Sequence, residues 1–475
     1  MLFRSPLPDA VAALFPEMPD RNRIEEWLTG ELQQALQRLK AGPVVPTIDM
    51  AAFRAELESF DFDQPRPLEE LLGWTIARMQ HGIVQMANPR YFGLFNPGPN
   101  FPAQCADRIS SLFNPQLASS ASSPVPVELE RQVIRAIARR AAMGEEATGH
   151  FATGGSESNY TSLLCALTAA HPGFASEGVR AFAGPVKFYT SRDCHIAWLK
   201  IAHQAGVGRS ALRLVDTDGR GRMDPDALLR AIAEDRAGGA VPVMIVATAG
   251  TTGAGMIDPL QACAGIAQQE GLWYHVDAAW GGAALASNRL RQALAGMERA
   301  DSITIDAHKW LATTMGCAVF LTRHAHLLSE AFHASTSFMP SSVSGVDPYL
   351  NSVQWSRRFL GLRLFLALAS AGWQGLGAHV DRSTAVADRI KERLLALGWT
   401  IANDSVLAVL DAVPPAGFGD VRTLVRRVVA SGRAWVAPTT FEGRDVVRIC
   451  VTNGETTLAD VDALIAVLNE RNARL

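Results

Sequence analysis

The feature that most constrains this chain is an alternation of short apolar runs with helical stretches, sustained from about residue 101 to 362. "PVKFYTS", "LRLVDT", "PVMIVATAG", "LWYHVDAA", "SITIDAH" and "CAVFLT" have strand character. Helical stretches such as "DPDALLRAIAED" lie between several of them, with Asp224 as N-cap and Pro225 at the first helical position. A connection of that length returns each strand parallel to the last, which predicts an α/β sheet with helices on both faces. In such sheets ligands collect beyond the carboxyl ends of the strands. Residues 1–100 read as a helical segment, from "RIEEWLTGELQQALQRLK" and "PLEELLGWTIARMQHGIVQMA", and end in the aromatic loop "NPRYFGLFNPGPNFP". Residues 101–362 form the large domain. Residues 363–475 form a smaller α+β unit with strands in "SVLAVLDAV", "AWVAPTTFEG" and "DVVRICVTN" and a closing amphipathic helix.

Composition narrows the function classes. A net charge of −3 over 475 residues gives no basis for binding nucleic acid or an anionic membrane. The six cysteines are dispersed without a CxxC pair, so no zinc knuckle or dithiol site is signalled, and they suit a reducing compartment. No apolar run approaches the roughly 20 residues that span a bilayer. "FLGLRLFLALASAGW" carries Arg363 and reads as a buried soluble helix. The N-terminal stretch has prolines and acids where a signal peptide keeps an apolar core, so the expected location is the cytoplasm.

Four features at predicted strand ends carry chemistry. Gly154 and Gly155 bend the chain, and Ser156 opens a helix; free amides and the positive dipole end suit a phosphate. The turn is neither a Walker loop nor GxGxxG, which weighs against a Rossmann dehydrogenase. His195 follows a strand and starts a helix. Asp277 ends an apolar strand, where a carboxylate needs a proton donor or a cation; no second carboxylate at ligand spacing suggests a metal. Lys309 ends "SITIDAHK", where an ammonium is costly unless paired or consumed chemically. A lysine of that kind forms Schiff bases with aldehydes. Asp277 and Lys309 are 309 − 277 = 32 residues apart, one strand–helix–strand step, so they can occupy neighbouring strand ends. Together the four describe a site for pyridoxal 5'-phosphate. The phosphate goes to the glycine turn, the aldehyde to Lys309, the pyridine nitrogen to Asp277, and His195 stacks on the ring.

The stretches "SSPVPVELE", "GGSESN", "SRDCHIAWLKIA", "ATAGTTGAGMID", "WYHVDAAWGG" and "DAHKW" resemble the successive motifs of the group II pyridoxal-phosphate-dependent amino-acid decarboxylases, of the aromatic-L-amino-acid decarboxylase type. The resemblance covers residues 85 to 375 well and the ends loosely. It implies the aspartate-aminotransferase-type fold (fold type I), with a mixed, mostly parallel sheet flanked by helices and a small C-terminal α+β domain. It implies a homodimer whose N-terminal segment packs across the partner, with the active site at the interface. By the same resemblance Lys309 is the Schiff-base lysine and Asp277 the pyridine-nitrogen partner, with Ala279 beneath the ring and His195 stacked above it. Thr252 stands near the ring, Gly155 and Ser156 form the phosphate turn, and His308 lies near the phosphate.

The implied reaction is decarboxylation of an L-amino acid to the amine and CO2, with aromatic substrates slightly favoured. The alternatives are an acidic or dibasic substrate, an aldehyde synthase or carbon–sulfur lyase on the same scaffold, and a dimeric scaffold with a degenerate site. Tyr349, in "STSFMPSSVSGVDPYLNSVQWSRRF", matches the tyrosine that protonates Cα in the family, and Phe92, Leu94, Phe95 and Ser356 match the substrate-pocket walls. The sequence departs from the pattern at Asp306, where aromatic-type relatives carry an amide; a carboxylate near the phosphate requires a compensating donor. Arg357 and Arg358, in "QWSRRF", are expected to be a structural ion-pair element rather than a substrate clamp.

Overall fold

The computed structural model describes residues 9–333 and 347–470. Seven strands form the larger sheet: β1 (Thr148–Ala152), β2 (Val186–Ser191), β3 (Leu212–Val215), β4 (Val241–Thr248), β5 (Trp273–Asp277), β6 (Ser302–Asp306) and β7 (Ala318–Thr322). Their order is β1-β7-β6-β5-β4-β2-β3. Strands β3, β2, β4, β5 and β6 run parallel, while β7 is antiparallel to both β6 and β1. The sheet is therefore mixed and mostly parallel.

The side-chain alternation of a strand divides the interior into two cores. In β4, Met244 and Val246 join one apolar cluster with Leu163 and Leu167 of the helix Gly155–Ala170. Ile245 and Ala247 join the other, with Leu228 of the helix Pro225–Ala237 and Cys263 of the helix Leu260–Glu270. Both faces are thus covered, which is why these strands read as continuous apolar runs. Asp224 caps its helix as expected, accepting from the Asp226 amide at 2.9 Å. The connection from β5 to β6 is not an α-helix: it consists of 3-10 turns at Gly281–Ala286, Leu290–Leu294 and Met297–Arg299. Strand β1 was absent from the expected set because "TGHFA" has neither apolar alternation nor a β-branched run.

A second sheet, all antiparallel, has the order β10-β11-β9-β8, with β8 (Thr400–Ile401), β9 (Val409–Val413), β10 (Ala437–Phe441) and β11 (Arg444–Cys450). The helix Leu362–Ala396 begins within "FLGLRLFLALASAGW", after Gly361, and is interrupted at Gly372, whose φ of 63° only glycine adopts easily. The closing helix Leu458–Asn469 begins with a Thr457–Asp460 capping box. No helix among the described residues is long and apolar enough to cross a membrane.

The aromatic loop of residues 88–98 ties the small sheet to the large one. The Phe92 amide donates to Trp435 O at 2.9 Å, and the Cys450 amide donates to Phe92 O at 2.9 Å. Gly93 is required there, since a Cβ would stand 1.7 Å from the Trp435 ring. This strap delivers Phe95 to the region between β11 and the end of β6.

Candidate functional site

The parallel strands end together, and the expected site residues follow them. Asp277 is the last residue of β5, and Lys309 comes three residues after the end of β6. The two strands are direct neighbours, and the Asp306 amide donates to Ala279 O at 3.1 Å across the gap. His195 follows β2 and Thr252 follows β4; both are exposed at the same edge. The Nδ1 atom of His195 accepts from the Ala197 amide at 3.2 Å.

The helix Gly155–Ala170 touches both strand ends. At its first residue, a Cβ on Gly155 would lie 3.0 Å from each Asp306 carboxylate oxygen, so a side chain there would push the carboxylate away by a few tenths of an ångström. One turn on, Asn159 Nδ2 donates to Asp277 Oδ2 at 2.7 Å, and Asp277 Oδ1 accepts from the Ala279 amide at 3.2 Å. Asp277 is thus a buried carboxylate with a donor on each oxygen.

The compensating group for Asp306 is Lys309, whose Nζ stands 2.9 Å from Asp306 Oδ2. The other oxygen, Oδ1, is buried with no hydrogen-bond partner among the described residues. His308 Nε2 lies 3.8 Å from Oδ2, too far for a hydrogen bond, and burial pushes the His308 ring below the usual histidine range. Lys309 keeps 18% of its side chain exposed, enough to be reached from the strand-end cleft.

Of the expected pocket residues, Phe95 belongs to this cluster. Its ring centroid is 5.6 Å from Lys309 Nζ, and it stacks on Trp280 with centroids 4.2 Å apart. Phe92 is packed in the core, while Leu94 and Ser356 are exposed. Tyr349 lies on the turn Pro348–Leu350, with its amide donating to Ala118 O at 3.1 Å and its ring 4.8 Å from Trp355. Within the described chain no hydrogen bond or ring contact joins it to Lys309, Asp277 or His195. The earlier part of its loop, 335–346, lies outside the described residues. Arg357 forms a buried ion pair with Glu130 at 2.8 Å, the structural role expected of it.

Two groups of functional interest escaped the sequence reading. The first is Arg448 on β11, 3% exposed. Its Nη1 donates to Gly93 O at 2.9 Å and its Cζ sits 4.5 Å from the Phe95 centroid, on the ring that Lys309 also approaches. Its Nε and Nη2 have no hydrogen-bond partner among the described residues. The cross-strand partner of Arg448 is Asp411, whose two oxygens are likewise unpartnered and whose pKa burial pushes up to about 7, against the pull of the Arg448 charge. The signal was present: one arginine interrupts the apolar strand "VVRICV". The second is the pair Asn159 and His275, which stands behind Asp277. His275 is two residues before Asp277 and so points to the same face of β5.

A cavity of about 350 Å³ lined by Glu130, His150 and Arg357 shares no residue with this cluster. The site is therefore assigned on its chemistry, not on cavity size.

Comparisons with known proteins bear on the family of the chain. The model of the pyridoxal-dependent decarboxylase conserved domain matches residues 54–403. Cysteine sulfinic acid decarboxylase of Homo sapiens is 32% identical over 405 residues, covering 80% of this chain and 82% of that protein. Its Mus musculus counterpart is 35% identical over 320 residues, 66% of this chain but only 64% of that protein, under two thirds of its length. Acidic amino acid decarboxylase GADL1 of Mus musculus is 32% identical over 66% of this chain and 58% of its own. The crystal structure of mouse CSAD in apo form superimposes with a TM-score of 0.89 at 28% identity, over 95% of this chain and 98% of that one. The chain belongs to the group II pyridoxal-phosphate-dependent decarboxylases.

Proposed function

We propose that the substrate is a small acidic L-amino acid, one whose side chain ends in a carboxylate or sulfinate. The observation that carries this reading is Arg448. A buried guanidinium is costly unless its donors are used, and here Nε and Nη2, the fork that grips an oxyanion bidentately, are buried without a hydrogen-bond partner among the described residues, on a guanidinium 4.5 Å from the Phe95 ring that Lys309 also approaches. The relatives named for cysteine sulfinic and acidic amino acids support it. The aromatic preference expected from the sequence has no comparable feature in its favour.

The residues fit pyridoxal phosphate. At the start of the helix Gly155–Ala170 the Glu157 amide donates to Gly154 O at 3.0 Å, while the Gly155 and Ser156 amides have no intrahelical acceptor and are available to a phosphate. Lys309 offers an amine within reach of the cleft, and Asp277 offers a buried, doubly hydrogen-bonded carboxylate to a pyridine nitrogen. When bound, the cofactor supplies the electron sink for loss of CO2.

The chain's own residues orient the groups. Lys309 would hold the cofactor through its side-chain amine. Asp277 would hold a proton at the ring nitrogen, and His195 and Ala279 would flank the ring. Arg448 fixes the acidic end of the substrate, and Phe95 walls the space between Arg448 and Lys309. Tyr349 is the proposed donor of the proton that returns to Cα. It reaches the site of the neighbouring subunit in a homodimer whose active site lies at the interface, which accounts for its distance from Lys309 within one chain.

The test is CO2 release by the holoenzyme from a panel of L-amino acids, with product identification. Cysteine sulfinate, aspartate or glutamate giving the amine without peroxide supports the reading. Turnover confined to aromatic or dibasic substrates, or aldehyde with ammonia and peroxide, would overturn it.

A further inference from the structure

Behind Asp277 lies a continuous chain of buried hydrogen bonds. Trp273 Nε1 donates to Ser302 Oγ at 2.9 Å, and Ser302 Oγ lies 2.8 Å from His275 Nδ1. His275 Nε2 lies 3.0 Å from Asn159 Oδ1, and Asn159 Nδ2 donates to Asp277 Oδ2 at 2.7 Å. The members come from β5, β6 and the helix Gly155–Ala170, so three elements must be in register for the chain to close.

Chemistry fixes its direction. An indole N–H can only donate. Ser302 Oγ therefore accepts from Trp273; because Asn159 Oδ1 can only accept, a neutral His275 must donate to it from Nε2, and its Nδ1 takes the Ser302 proton. That nitrogen is then an acceptor, and the proton of the neutral ring sits on Nε2, where it donates to Asn159 Oδ1. The Asn159 amide group is thereby held with its N–H₂ towards Asp277. Burial keeps His275 neutral, with a pKa lowered to about 4. Every donor points the same way, and the chain ends on an acceptor. Trp198 packs edge-on against the His275 ring, with centroids 5.9 Å apart, and restricts its rotation.

We propose that Ser302, His275 and Asn159 are positioning residues: a one-way relay that holds Asp277 as an acceptor-only carboxylate, aimed at the cofactor's pyridine nitrogen. The inference rests on the reading of Asp277 given above. An unsupported Asp277 could rotate, and would then hold the pyridine proton less firmly. Removing a hydrogen bond to a charged group costs a factor of roughly 10 to 100, so kcat should fall by that much in Asn159→Ala, with KM little changed. Ser302→Ala frees His275 to adopt the other tautomer and should show a smaller loss in the same direction, which Ser302→Thr restores.

The deciding experiment is NMR of the holoenzyme reconstituted with pyridine-¹⁵N-labelled cofactor. Wild type should show a pyridinium resonance. Asn159→Ala should move it towards neutral pyridine, with Ser302→Ala between the two and Ser302→Thr at the wild-type position. If Asn159→Ala does not fold, Ser302→Ala, which deletes one hydroxyl and keeps the packing, decides alone. Wild-type resonance and kcat in the folded Ser302→Ala holoenzyme would overturn the relay. Asp277→Asn separates the two claims. If it abolishes the pyridinium signal while the relay variants keep it, only the relay fails; if it too leaves signal and turnover unchanged, the assignment of Asp277 fails.

Discussion

Replacing Arg448 by methionine tests the proposed substrate class. The Nη1 atom of Arg448 is engaged with Gly93 O, which leaves the Nε–Nη2 edge for a ligand. Two charge-assisted bonds at about 1.5–3 kcal/mol each amount to about 3–6 kcal/mol, a factor of roughly 10² to 10⁴ in kcat/KM. The loss should fall on acidic substrates and spare those without an acidic side chain, so the quantity to measure is the ratio of kcat/KM between the two classes. Arg448→Lys keeps the charge but not the fork, and should fall between the two. Because Asp411 faces Arg448 across the strands, the single variant strands a buried carboxylate. The double variant Arg448→Met, Asp411→Asn removes that penalty and should show the same shift in substrate ratio with a higher melting temperature. Equal losses on acidic and non-acidic substrates would refute the reasoning, and would place Arg448 on the α-carboxylate or in a purely structural role.

Other consequences follow from particular contacts. Gly155→Ala sets a Cβ 3.0 Å from both Asp306 oxygens, which displaces the carboxylate that holds Lys309; cofactor affinity should drop, by about 1–3 kcal/mol in a fluorescence titration. Arg357→Met leaves Glu130 buried without its cation and should destabilise the fold by about 3–5 kcal/mol in urea unfolding. His150 and His275 are buried, with pKa values lowered to about 3 and about 4 from 6.5. Their contribution to stability is present above pH 6.5 and is lost as pH falls, since the unfolded chain takes up the protons first. Each should cost about 2–3 kcal/mol at pH 4.5 relative to pH 7.5, and His150→Phe should flatten that dependence in urea titrations.

What the sequence showed and what it hid divide along physical lines. Lys309 and Asp277 were legible because a charge at the end of an apolar strand is costly, and strand order then made them neighbours on β5 and β6. Gly155 was legible as a turn, but the reason for it, the Asp306 carboxylate, belongs to a strand 150 residues away. Asn159 and His275 stood within the quoted motifs, yet their bond joins a helix to a strand and no local pattern announces it. Arg448 lay hidden because its strand is in the small sheet, and only the strap of residues 88–98 brings that sheet to Lys309. The 3-10 connection between β5 and β6 escaped because "WGGAALASNRLRQALAGMER" has helix-forming residues, while its glycines and tight packing against β6 favour short turns.

The most direct test of the site is to reduce the holoenzyme with borohydride, digest it, and map the pyridoxyl group by mass spectrometry. The account predicts a single modified peptide, carrying the label on Lys309, and none in Lys309→Ala. A label on another lysine, or a Lys309→Ala enzyme that still traps the cofactor and releases CO2, would contradict it.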